Sequence, residues 1–143
     1  MTELKRILAF DVGDRRIGIA VSDLLGITAQ PVETYTRTDD ENTDIRYLLS
    51  VAEKYQAGKL VFGLPRNMNG TYGFQSEKVK AFAGKLLEGW NGEYDFYDER
   101  LTTVTAERIL LEADVSRKKR KKVVDKIAAV VILQNYLDSR GNY

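Results

Sequence analysis

Four acidic residues stand where a folding chain ordinarily avoids charge. Asp11 follows the apolar run Ile7-Leu8-Ala9-Phe10 and precedes the turn Gly13-Asp14-Arg15. Asp98 and Glu99 close the aromatic-rich run Tyr94-Asp95-Phe96-Tyr97. Asp125 is spaced three, four and seven residues from Ala128, Ala129 and Ile132, so it shares their helical face. A charge at the end of a buried strand must be paired or must bind a metal. If the acids of two strand ends and one helix start converge, they can hold Mg²⁺ or Mn²⁺, hard cations that prefer oxygen ligands. Two such ions roughly 4 Å apart clamp the attacking and leaving oxygens of a phosphodiester displacement. Each acid also has a structural role open to it. Asp11 can cap a turn, Asp98 or Glu99 can precede a helix, and Asp125 suits a helix N-terminus.

The rest of the composition narrows the chemistry. The 143 residues include no histidine and no cysteine. A Cys/His zinc site and a Ser-His or Cys-His nucleophile pair are both excluded. With 43% hydrophobic residues the chain can build one real core. The net charge is only +1, so affinity for nucleic acid must come from local patches. The first six residues precede an apolar run too short for a signal peptide, and no stretch is long enough to span a bilayer. A cytoplasmic location is expected.

The elements that must position the acids can be read along the chain. The two apolar runs within 7–23, joined by the turn Gly13-Asp14-Arg15, predict a hairpin of two strands. Residues 26–35 predict a third strand, and Pro31 puts it at a sheet edge because proline has no N–H for the ladder. Thr38-Asp39-Asp40-Glu41 has the spacing of a capping box ahead of a helix carrying Ile45, Leu48, Leu49, Ala52 and Tyr55. Gly58 is expected to end that helix, before a short buried strand at 59–63. A loop with Thr71 as helix cap leads to a second helix with Val79, Phe82, Ala83, Leu86 and Trp90 on one face. The strand 94–97, a third helix over 106–113 and a last helix from about Lys122 to Leu137 complete the order β-β-β-α-β-α-β-α-α. This order predicts an α/β fold: a mixed five-stranded sheet, three strands antiparallel and two parallel, with helices on both faces and the first strand near its centre. Residues 1–138 read as one domain and 139–143 as a short tail.

Several residues are candidates for holding nucleic acid. Arg117-Lys118-Lys119-Arg120-Lys121-Lys122 is an unbroken run of six cations just before Asp125. Such runs are often only solvated loops. Beside the acids, this one would lie where a phosphate backbone passes and would supply salt-sensitive contacts. The loop 63–71, with Arg66, Asn67 and Thr71, offers glycines for close approach and free amides at a helix start. Arg16 and Arg100 adjoin the acidic positions and can hold phosphate or pair with the carboxylates. Of the eight tyrosines, Tyr47 and Tyr55 fit helix core positions and Tyr94 and Tyr97 fit the fifth strand, while Tyr72 could stack on a base.

At these residues the chain resembles a known family. Ala9-Phe10-Asp11-Val12-Gly13-Asp14-Arg15-Arg16-Ile17-Gly18-Ile19-Ala20 is similar to the opening motif of the YqgF family. These are RuvC-like, ribonuclease H-like proteins regarded as Holliday junction resolvases or pre-16S rRNA nucleases. Gly63-Leu64-Pro65 with Asn67-Met68-Asn69-Gly70-Thr71 resembles its second motif, Asp98-Glu99-Arg100-Leu101-Thr102-Thr103 its third, and Val124-Asp125-Lys126-Ile127-Ala128-Ala129 its fourth. The four occur in order over nearly the whole chain. The resemblance implies a ribonuclease H-like fold with Asp11 as central metal ligand, Asp125 as the helix-borne ligand and an acid from Asp98-Glu99 between them. Better-studied relatives carry an acid at the end of the fourth strand, where this chain has Gly63. The acid must then come from the fifth strand, and Glu99, with the longer arm, is preferred to Asp98.

The leading expectation is therefore a metal-dependent nuclease using Mg²⁺ or Mn²⁺. Its substrate would be a precursor of small-subunit ribosomal RNA or a four-way DNA junction, and symmetric junction cleavage would require two active sites, as in a homodimer. A non-catalytic nucleic-acid-binding protein is the alternative that Gly63 keeps open. A nucleotide-binding ATPase-like lobe is a third, but 143 residues leave no room for a second lobe.

Overall fold

A computed structural model describes residues 5–65, 73–99 and 117–140, with backbone alone at 74, 99, 117–126 and 140. Among the described residues, strands β1 (Arg6–Val12), β2 (Arg16–Ser22), β3 (Ala29–Thr36), β4 (Ala57–Pro65) and β5 (Glu93–Glu99) form one sheet. Helices α1 (Glu41–Lys54), α2 (Phe74–Leu87) and α3 (Arg117–Arg140) cover it. The strand order is β3-β2-β1-β4-β5. The first three strands pair antiparallel, while β4 and β5 join parallel through the helical crossovers. β1 is central, and β3 is an edge strand whose ladder is irregular beside Pro31, as the missing N–H requires. The helix expected over 106–113 lies outside the described residues.

The strand alternation divides the core into two layers. Leu8, Phe10 and Val12 of β1, with Leu60, Phe62 and Leu64 of β4, face the layer that contains Leu48 of α1 and Phe82 and Leu86 of α2. Ile7, Ala9 and Val61 face the other, with Ala129, Ile132, Leu133, Tyr136 and Leu137 of α3. The sheet is thus buried on both faces, and its inner strands are apolar almost throughout.

α3 crosses over β1. The Gln134 side chain accepts from the Ala29 N–H at 2.9 Å and donates to the Ile27 carbonyl at 3.0 Å, ahead of and at the start of β3. On the other side the Tyr136 hydroxyl donates to Asp95 on β5 at 3.0 Å. Ala29 pairs with Ser22, at the end of the hairpin where β1 begins. Ala128, Ala129, Ile132 and Leu133 are buried, the last three in the layer that holds Ile7, Ala9, Ala20 and Val61. Two consecutive alanines let the helix approach the strands closely.

Four local expectations are corrected. α1 is capped by Asp40, whose carboxylate accepts from the Asn42 N–H, and not by Thr38. The Thr38 N–H and hydroxyl instead serve the buried carboxylate of Asp44. α1 ends before Gly58, through Gln56 in the left-handed region at φ 54°. Gly58 belongs to β4, where a Cβ would come within 2.8 Å of Lys5. α2 starts after Gly73, so Thr71 is not its cap, and it ends at Leu87, short of Trp90. Finally, α3 begins at Arg117 and takes in the whole basic run, which is therefore helix and not loop. Lysine and arginine are good helix formers, and no glycine or proline interrupts them.

Tyr35 and Tyr47 stack at 4.4 Å over the rim of the α1 layer, where the Tyr35 hydroxyl donates to Asp44 and that of Tyr47 to Glu33. Burial, with the Asp44 bond, pushes Tyr35 up to about 12. The Glu33 bond, with burial, does the same to Tyr47. Above pH 10 an unfolded chain loses these protons while the folded one keeps them, so stability is full below pH 10 and falls toward pH 12. Denaturation midpoints measured from pH 9 to 12 should drop more steeply for the wild type than for a Tyr35→Phe/Tyr47→Phe double variant. Equal slopes would contradict this assignment.

Candidate active site

Asp11 is half-buried at the C-terminal end of the central strand. By alternation it belongs to the α3 face, with Ile7 and Ala9. Its partner on β2 is Gly18. On β4, one step past the Phe10–Phe62 pair, its neighbour is Gly63. The only strand-end carboxylate of β1 is thus flanked on both sides by residues without side chains. The turn behind it is tight: the Gly13 N–H donates to the Arg16 carbonyl at 2.8 Å, and a Cβ on Gly13 would come within 2.9 Å of that same oxygen.

The register of β5 separates the two other strand-end acids. Phe96 pairs with Phe62 and packs against the α1/α2 layer, and Asp98, paired with Leu64, has the same parity. Asp95 and Tyr97 have the α3 parity, since Asp95 meets Tyr136 and Tyr97 lies edge-on to it at 6.3 Å. Position 99, paired with Pro65, follows in that second set. Two strand spacings across and two residues along put the Asp11 and Glu99 backbones about 12 Å apart, a gap that two acidic side chains can narrow to the width of a metal pair. Asp98 is exposed.

Asp125 lies in α3, one turn before Ala128 and Ala129 and on their stripe. The side chains of Glu99 and Asp125 lie outside the described residues, and among the described ones no three acids gather into a metal-holding group. The donor set nonetheless fits a hard divalent cation. It consists of carboxylates, and the residues beside the central one on both neighbouring strands are glycines.

Arg16 starts β2 beside the Asp11 turn, opposite Thr36. Arg66, Asn67, Thr71, Tyr72 and Arg100 lie outside the described residues. Arg117, Lys118, Lys119, Arg120, Lys121 and Lys122 form the opening turns of α3, where no acidic residue stands in the first turn. Cations there oppose the positive end of the helix dipole. The feature that reading the sequence missed is the pair Arg37 and Asp44 behind the Asp11 turn. An acid on the apolar stripe of α1, spaced from Leu48, Val51 and Ala52, was the available signal.

Residues 5–139 match the model of the RuvX family, described as Holliday junction resolvases. The chain belongs to this family. It is 56% identical over 134 residues to a Clostridium acetobutylicum protein named "Putative pre-16S rRNA nuclease", covering 94% of this chain and 98% of that one. A Clostridioides difficile protein of the same name is 55% identical over 138 residues, covering 96% of each. The fold is that of RuvC: the Thermus thermophilus RuvC in complex with a Holliday junction superposes with a TM-score of 0.59 at 10% identity, over 95% of both chains. The yeast mitochondrial Holliday junction resolvase gives 0.55 at 9% identity, over 96% of this chain and 79% of that one. These likenesses identify the ribonuclease H-like sheet expected from the RuvX chain's motifs. No helix among the described residues is long and apolar enough to cross a membrane.

Proposed function

We propose that this RuvX-family protein is a divalent-metal-dependent nuclease that hydrolyses phosphodiester bonds in structured nucleic acid. The observation that carries the reading is Asp11, half-buried at the end of the central strand between Gly18 and Gly63, in a chain of a resolvase family. Asp11, Glu99 and Asp125 would hold Mg²⁺ or Mn²⁺, in a pair. Bound there, the ions would make water a usable nucleophile near neutral pH and stabilise the charge that develops on phosphorus oxygens. Asp11 would be the shared ligand, with Glu99 of the edge strand and Asp125 of the helix as the other two. Register parity favours Glu99 over Asp98.

The substrate we infer is precursor 16S ribosomal RNA, because relatives more than half identical to this chain carry that name. A DNA junction would be met by a homodimer presenting two such sites. The basic opening of α3, together with Arg16, Arg66, Asn67, Thr71 and Arg100, would hold the backbone of either substrate. The activity would reside in a single cytoplasmic ribonuclease H-like domain, residues 1–138.

The test is cleavage of labelled precursor 16S RNA and of a four-way DNA junction in Mn²⁺ and in EDTA, with Asp11→Asn in parallel. The ions' stabilisation of the transition state amounts to several kcal/mol, so the variant should lose about three orders of magnitude or more in rate while still binding. Metal-dependent cutting by wild type alone, faster on the RNA, is the expected result. Binding of both substrates without cutting would overturn the reading in favour of a non-catalytic binding protein.

A further inference from the structure

The turn that follows Asp11 is hollow on the side away from α3. Between it and α2 lies a cavity of about 310 Å³, lined by Gly13, Asp14, Arg37, Lys78 and Phe82 among others. Two cationic side chains reach across to the turn. Lys78 Nζ meets Asp14 at 3.3 Å, but the two side chains are 46% and 61% exposed, and such a pair holds little in place.

Arg37 is built in differently. Its side chain is 19% exposed, and Nη1 donates to the Gly13 carbonyl at 2.8 Å. The guanidinium lies 4.7 Å over the Phe82 ring. Nε stands 3.7 Å from Asp44 Oδ2. The backbone N–H of Arg37 also donates to the Arg15 carbonyl at 2.8 Å, so one residue grips both ends of the turn. Asp44 is itself buried, and its Oδ1 is taken up by the Tyr35 hydroxyl and by the N–H and hydroxyl of Thr38. Oδ2 accepts no hydrogen bond among the described residues, and it faces Arg37.

We propose that Arg37 is a positioning residue for Asp11, fixing the Gly13 turn so that the carboxylate two residues earlier meets its metal in one geometry. This rests on the reading of Asp11 as a metal-holding carboxylate. The load passes from the anchored Asp44 through the planar guanidinium to the Gly13 oxygen. A guanidinium serves Gly13, Asp44 and Phe82 together because its donors form a rigid fork, whereas a lysine ammonium is a single point that cannot. Supporting contacts of this kind typically change metal affinity or activity roughly 10–100-fold.

Arg37→Lys separates positioning from folding, since it keeps a cation beside Asp44 and Phe82 and removes the fork. Its thermal midpoint should stay near wild type. The kcat for Mn²⁺-dependent cleavage should fall roughly 10-fold or more, with KM for nucleic acid unchanged and more Mn²⁺ needed for half-maximal rate. Hydrogen exchange at Gly13 and Asp14 should quicken while the amides of α1 and α2 hold. A variant with wild-type kcat and Mn²⁺ requirement, beside an inactive Asp11→Asn, overturns the positioning role and leaves the nuclease reading standing. If wild type itself does not cut, the nuclease reading fails instead, and exchange decides the brace: an unchanged rate at the turn overturns it.

Discussion

Glu99→Gln is expected to reduce cleavage about a thousandfold, as Asp11→Asn does, whereas Asp98→Asn stays within about threefold of wild type. The two residues are neighbours of equal charge, so composition and local field do not distinguish them. Parity does. Asp98 pairs with Leu64, a residue of the α1/α2 layer, and position 99 pairs with Pro65 in the set that includes Asp95 and Tyr97. A strand turns successive residues to opposite faces, so only one of the two can share the Asp11 face without breaking the register. The measurement is single-turnover cleavage of the same labelled substrate by the three variants. An inactive Asp98→Asn beside an active Glu99→Gln would mean that β5 is bulged at its end and that the ligand assignment is reversed.

Replacing Lys118, Lys119, Lys121 and Lys122 by Ala is expected to weaken nucleic-acid binding and stabilise the fold at once. Each phosphate contact contributes about 0.7 to 0.9 to the salt slope, so removing four should flatten it by about 3 and cost two to three orders of magnitude in affinity near 0.1 M salt. Stability should move the other way. These residues open α3, with no acid in its first turn, and cations at a helix N-terminus are unfavourable by about 0.3–1 kcal/mol each. Alanine is also the better helix former. A gain of about 1 kcal/mol would raise the thermal midpoint by roughly 3 °C. A run kept at the expense of helix stability is the signature of a binding surface. If the quadruple variant binds as tightly as wild type, the basic run is only a solvated helix start.

Much of this architecture is legible in the sequence because strand and helix periods are strong signals. The hairpin around Asp11, the edge position imposed by Pro31 and the apolar stripe Ala128-Ala129-Ile132 all follow from spacing and elementary sterics. The misreadings occur where a long-range contact outweighs a local preference. Thr38 looks like a cap until Asp44, six residues on, claims its hydroxyl. Gly58 looks like a helix stop until Lys5 packs against its bare Cα, which leaves the left-handed turn to Gln56. The choice between Asp98 and Glu99 needs the register of β5 against β4, which depends on pairing across the sheet. Arg37 escaped notice for the same reason: its partners Gly13, Asp44 and Phe82 are brought together only by the finished fold.

Direct Mn²⁺ binding, by calorimetric titration of wild type and Asp11→Asn in the absence of nucleic acid, tests the central claim most closely. It asks whether the carboxylates form a metal site, independently of substrate and of any partner needed for turnover. The account predicts saturable binding to wild type in the millimolar range or tighter, lost in Asp11→Asn with the fold intact. Equal binding by both proteins, or none by either, would contradict a metal centre built on Asp11.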